Sequence, residues 1–227
     1  MRPFAHLTPR SRAFLLLYLG LVAFSILGSL MSALTKLSPG PIAPVASALT
    51  LLAGLAALYA ERVPTRALVT TLLIGTSAEV IGLATGYPFG RYVYTTAWQP
   101  TVQLGQLGPF PLLLPFAWLL MVGAAEGTVG PRQYRVLIVA LLAAAIDLLM
   151  EPVMAGPLGY WKWLDKGPLP GGAPLLNFVG WFAVALLATT VSRQSEARPT
   201  SRYVLAGHLA LTAGIGLIHA QLGPLPS

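Results

Sequence analysis

Seven stretches of this chain are apolar for about the 20 residues that a helix needs to cross the hydrocarbon core of a bilayer. They run roughly from 13 to 34, 43 to 60, 67 to 86, 109 to 126, 134 to 154, 175 to 192 and 203 to 222. With 56% hydrophobic and 9% charged residues, the chain holds more apolar side chain than one water-surrounded core can hide. The expected fold class is therefore an all-α integral membrane protein of about seven transmembrane helices, with residues 1–227 forming a single polytopic domain. The first span is too long for a signal peptide and is followed by further membrane segments, so it is expected to be retained.

Orientation follows from the basic residues. Arg2, Arg10, Arg12, Arg62, Arg66, Arg132, Arg135, Arg193, Arg198 and Arg202 fall on one side, and Lys36, Arg91, Lys162 and Lys166 on the other. This bias puts the N-terminus in the cytoplasm. Although the net charge is +7, the cations are scattered singly, so no nucleic-acid partner is expected. The chain has no cysteine, which excludes thiolate catalysis and iron–sulfur ligation. His6, His208 and His219 share no helical spacing; His208 and His219 read as packing residues, and no metal or cofactor is expected.

Against this apolar background the acidic residues stand out. Asp147 and Glu151 are four apart in the fifth span and so share one helix face. Pro152 follows at once, and its missing N–H and its ring predict that the helix kinks or ends beside the pair. Glu79 occupies the later half of the third span, which runs in the same direction, so all three acids lie toward the outer leaflet. A carboxylate at mid-membrane costs roughly 2.5–3.5 kcal/mol on insertion scales, so three near one level require a reason. Two neighbouring carboxyls in hydrocarbon do not both carry charge, and one keeps its proton. Structural pairing is the plainer account, with Arg91 as a partner reaching in. Glu61, Glu126 and Glu196 fall at cytoplasmic helix ends and are expected to be solvated.

The two long connections, roughly 87 to 110 and 155 to 174, echo each other. Pro88-Phe89-Gly90-Arg91-Tyr92-Val93-Tyr94 matches Pro157-Leu158-Gly159-Tyr160-Trp161-Lys162-Trp163. Downstream, Pro111-Leu112-Leu113-Leu114 with Trp118 matches Pro174-Leu175-Leu176-Asn177 with Trp181. Two parallel repeats, made of the third and fourth and of the fifth and sixth spans, would face each other across a cavity with the acids inside. Asn177, polar where its counterpart is Leu114, is a candidate to hold a carboxyl. Trp118 and Trp181 lie deeper and read either as cavity-lining rings that face a cation or as simple packing residues. Tyr92, Tyr94, Tyr160, Trp161 and Trp163 read most simply as an interfacial belt, while Gly82 and Gly86 read as points of close helix approach.

Taken in order, Glu79, the segment Gly86 to Tyr94, Pro111-Leu112, Pro115 to Trp118, Asp147 to Pro152, Trp161 to Trp163 and Asn177 to Trp181 form a combined pattern. It resembles the membrane-integral carotenoid 1,2-hydratases of deinococcal and related bacteria, and is similar to the bisanhydrobacterioruberin hydratases of haloarchaea. The resemblance covers about residues 70 to 185; the first two spans and the last are generic. It implies cofactor-free addition of water to the terminal 1,2 (1′,2′) double bond of an acyclic carotenoid end, of lycopene or γ-carotene type, giving a tertiary alcohol. That is hydro-lyase chemistry at the plasma membrane.

Such chemistry needs an acid to protonate C2, surroundings that tolerate a cation at C1, and a held water. Asp147, Glu151 and Glu79 are the candidate catalytic residues. Trp118, Trp181, Asn177, Tyr92, Tyr94, Arg91 and Trp161 are the candidate substrate contacts. The partners implied are the carotenoid, water and membrane lipid. A proton-coupled transporter and a proton-initiated carotenoid cyclase remain as alternatives; the scarcity of polar side chains in the third to sixth spans favours an apolar substrate.

Overall fold

The computed structural model describes residues 4, 6–60, 62, 64–193 and 196–223. Arg2 and Glu61 lie outside these. Seven helices follow in order: α1 (Pro9–Thr35), α2 (Ile42–Leu58), α3 (Thr65–Thr85), α4 (Leu114–Val129), α5 (Arg135–Met154), α6 (Leu175–Ser192) and α7 (Ser201–Leu222). Five of them, α1, α3, α5, α6 and α7, are long and apolar enough to cross a bilayer, as the hydropathy predicts. The shorter α2 and α4 have 17 and 16 residues. At about 25 and 24 Å both fall short of the hydrocarbon thickness, and α4 is buried on nearly every side by its neighbours.

The largest departure from the expected boundaries is at α4, which begins at Leu114 and not near 109. Pro109 and Pro111 fall in a strand instead, because a proline beyond the first helical turn removes a ladder hydrogen bond. Pro115 sits at the start of α4, where a missing N–H costs nothing. The helix α5 runs through Pro152 and ends at Met154, close behind the acid pair.

The inner group is α3 to α6, in which α6 packs on α5 and α3, and α4 packs on α3 and α5. The second group is α1, α2 and α7, with α1 between the other two; it joins the first where α2 and α7 meet α4 and where α7 meets α5. Burying apolar surface does not drive helix association in lipid, so close packing has to. Gly75 of α3 is such a point: a Cβ there would stand 2.6 Å from Cγ of Trp118. Gly82 and Gly86 serve the loop and not another helix. Gly82 abuts Phe89 and the Tyr92 hydroxyl, and Gly86 caps α3 with a φ of 80°.

One end of the bundle gathers the cations. Arg62 pairs with Glu196, and Arg135 and Arg198 converge on Glu126 at 3.5 and 3.9 Å. The solvated state expected of Glu126 is overturned: it is 1% exposed and also accepts from Ser192 Oγ at 3.0 Å. Its neighbours explain this, since two arginines from separate segments supply the compensation that a buried carboxylate requires. Glu196 is exposed, as expected.

At the opposite end the two long connections fold as small sheets. Strand β1 (Tyr92–Tyr94) pairs antiparallel with β4 (Trp161–Trp163), and β2 (Thr101–Gln103) pairs with β3 (Pro109–Pro111). The β1–β4 register sets Tyr92 opposite Trp163, Val93 opposite Lys162 and Tyr94 opposite Trp161. In the sequence echo Tyr92 corresponds to Trp161 and Tyr94 to Trp163, so the cross-strand pairs exchange under a local two-fold. The Trp118 and Trp181 rings, also equivalent in the echo, stack with centroids 3.9 Å apart and planes at 17°.

Candidate active site

Between the two helix groups lies a cavity of about 640 Å³ whose wall includes Glu79, Asp147 and Glu151 together. Their exposures are 4%, 2% and 1%. The three acids enter from two helices that do not pack closely on each other, and α6 and the aromatic sheet bridge them.

Glu79 is held by three donors. Tyr92 and Tyr94 donate their hydroxyls to Oε2 at 2.6 and 2.8 Å, and Trp118 donates Nε1 to Oε1 at 2.8 Å. Burial, and then the neighbouring Glu79 carboxylate, push both tyrosine hydroxyls well above their ordinary range, so they stay protonated and donate. Period-two alternation explains the arrangement: Tyr92 and Tyr94 point inward while Val93 between them is exposed.

Glu151 is held in the same way by the other unit. Trp161 and Trp163 donate Nε1 to Oε2 at 3.2 and 3.0 Å, and Asn177 Nδ2 reaches Oε1 at 3.2 Å. Asn177 Nδ2 also donates to Asp147 Oδ2 at 2.6 Å. An amide carries two N–H donors, enough for one to each carboxyl. Among the described residues, no donor reaches Asp147 Oδ1.

The three acids therefore differ in kind. Glu79 and Glu151 each accept three hydrogen bonds, those to Glu151 all from N–H groups that cannot accept in return and two of those to Glu79 from tyrosine hydroxyls that stay protonated, an arrangement that suits an ionised carboxylate. Asp147 accepts one and keeps an oxygen free on the cavity wall.

The candidate residues chosen from sequence converge here with one exception. Trp118, Trp181, Asn177, Tyr92, Tyr94 and Trp161 all line the cavity with the acids. The belt reading of the strand aromatics gives way to an inward one, since Tyr92, Tyr94 and Trp161 are buried and bonded to the carboxyls. Arg91 is the exception: it turns outward, its side chain 67% exposed, and forms a fork with Asp165 at 2.6 Å. The strand's alternation puts Arg91 on the face opposite Tyr92, so it has no route to the acids.

Several cavity residues escaped the sequence reading. Trp163 was legible as the repeat partner of Tyr94. Ser25, Ser29 and Ser32 of α1, Ser47 and Thr50 of α2, and His208 and Thr212 of α7 also line the cavity, so the helices read as generic form one of its walls. The spacing of the three serines in an otherwise apolar helix was the available signal.

This is an all-α membrane protein with a buried three-carboxyl site roofed by aromatic donors. The chain belongs to the Carotenoid biosynthesis protein family, whose sequence pattern matches residues 41–218. It is 27% identical over 123 residues to the bisanhydrobacterioruberin hydratase of Haloarcula japonica, a stretch covering 51% of this chain and 40% of that relative. The match thus spans less than half of the archaeal protein's length. No solved structure matches the chain.

Proposed function

We propose that this protein adds water to the terminal 1,2 double bond of an acyclic carotenoid end, without a cofactor, and so makes a tertiary alcohol. The observation that carries this reading is the unequal treatment of the three carboxyls: two saturated with donors and one, Asp147, with an oxygen free toward an aromatic-walled cavity. Family membership supports the substrate class, and the archaeal relative's name supports hydration.

In this mechanism Asp147 holds the proton. It delivers that proton to C2 of the alkene, leaving a tertiary cation at C1 and an Asp147 carboxylate, which Asn177 stabilises by its 2.6 Å hydrogen bond. Glu79 and Glu151 are already ionised, so the cation forms between fixed negative charges. The stacked Trp118 and Trp181 supply π-faces beside it. A water oxygen bonds to C1, and the proton it releases passes to a wall carboxylate, Glu79 or Glu151. Exchange through cavity water returns it to Asp147, so the sum is alkene plus water to alcohol. The polyene tail lies along the apolar wall and enters from lipid.

On this reading residues 1–227 act as one polytopic domain in the plasma membrane, with the N-terminus in the cytoplasm, as the arginine distribution supports. The test is expression in cells that make lycopene, followed by pigment analysis. Hydroxylated lycopene of unchanged desaturation is the expected product. A ring product would replace hydration by cyclisation, and an unaltered pigment pattern with the protein present in membranes would remove both.

A further inference from the structure

The carboxyls occupy one side of the cavity, and the opposite side carries polar groups that the mechanism above does not use. Ser38, on the exposed connection after α1, begins a series continued along one helix face by Ser32, Ser29 and Ser25 and met by Thr50, Thr212 and His208. Most of these hydroxyls have already spent their proton. Ser32 donates to Leu37 O at 2.7 Å, Ser29 to Ser25 O at 2.9 Å, Thr50 to Ala46 O at 2.7 Å and Thr212 to His208 O at 3.0 Å. Each presents lone pairs alone to the cavity.

Two further polar atoms, Ser25 Oγ and His208 Nε2, are buried without a partner among the described residues, and His208 as a whole is 9% exposed. Buried polar atoms are costly unless bonded, and a cavity with several convergent polar groups is where an ordered water is expected. Carotenoid hydrocarbon offers nothing to these acceptors, whereas a ligand that is small and donates two hydrogens satisfies them.

We infer that the serine face of α1, with Thr50, Thr212 and His208, is a water-binding track that leads from the exposed Ser38 connection into the cavity shared with Asp147. Its role, supplying the water consumed at each turnover by a route separate from the lipid route of the polyene, rests on the hydration reading. Its existence does not.

The chain has no native cysteine, so single Ser25→Cys, Ser29→Cys and Ser32→Cys variants of the full protein in membranes can be probed with a small cationic methanethiosulfonate. This reagent needs a hydrated thiolate. Leu27→Cys, on the same helix and 60% exposed to the surroundings, is the lipid-facing control. The serine positions are expected to react at least about tenfold faster than the control, in the order 32, 29, 25. Reaction at all three no faster than at Leu27→Cys overturns the track. The supply role has its own readout: Ser25→Val/Ser29→Val is expected to lower kcat severalfold with KM for the carotenoid unchanged, and an unchanged kcat overturns that role. If the wild-type chain hydrates nothing, the proposed function falls while the labelling still decides the track.

Discussion

Asn177 donates to Asp147 at 2.6 Å and reaches Glu151 with the same amide nitrogen, so one side chain of α6 governs both acids of α5. Asp147 has no other donor among the described residues, which makes it the group whose loss is felt in chemistry before stability. Asp147→Asn is expected to lower hydration by about 10²–10⁴-fold, the range of general acid catalysis, with little change in melting temperature in detergent. Product formation per membrane protein measures it; activity within a few-fold of wild type would refute the assignment.

Trp118 binds Glu79 through Nε1 and packs its ring on Trp181 and on Gly75. Trp118→Phe keeps an aromatic face but leaves a buried carboxylate one donor short, a loss of about 1.5–3 kcal/mol for a hydrogen bond to a charged group. Gly75→Ala acts from the other side by crowding the indole, with overpacking costing about 1–3 kcal/mol. Both should lower thermal stability in detergent. Were Gly75→Ala as stable as wild type, the close fit of α3 on Trp118 would be wrong.

Glu126 offers a sharp contrast between a buried and an exposed ion pair. Glu126→Ala leaves Arg135 and Arg198 as uncompensated buried cations, and removing one partner of such a group costs about 3–5 kcal/mol. Yield of folded protein and melting temperature should both fall steeply. Asp165→Asn, which breaks the exposed fork with Arg91, should leave them where they are.

The same fork defines a pH dependence. Hydrogen bonds and charge from Arg91 hold the Asp165 carboxyl below its ordinary range. A depressed folded pKa means a contribution that is complete above the unfolded value, about 3.9, and is lost as pH falls through the lower folded value. Between about pH 5 and 9, then, the gap between wild type and Asp165→Asn, small because the pair is exposed, should stay constant, and it should close only in stronger acid. A gap that changes near neutrality would mean that this carboxyl is not held by Arg91.

Helix number and the three acids were readable because hydrocarbon imposes harsh rules: long apolar runs must be helical, and an acid inside one needs a reason. The sequence echo was readable for the same cause, since few residue types recur in such segments. What escaped was the direction in which loop side chains point. Tyr92 and Trp161 satisfy the interfacial belt as well as a buried hydrogen bond, and only the pairing of β1 with β4 separates the two. Arg91 was misjudged for the related reason that its neighbour's alternation, not its charge, decides where it faces. Glu126 was misjudged because Arg198, its distant partner in sequence, becomes a neighbour only once α7 packs on α4.

The β1–β4 strap has one more implication. Because strand side chains alternate, a slip of one residue in its register would turn one strand over, and with it either Tyr92 and Tyr94 or Trp161 and Trp163 would face the exterior. Either Glu79 or Glu151 would then lose two donors in a single step. Six residues of one short ladder thus act as a latch for two acids on separate helices, and both are held by their strands only while the register is kept.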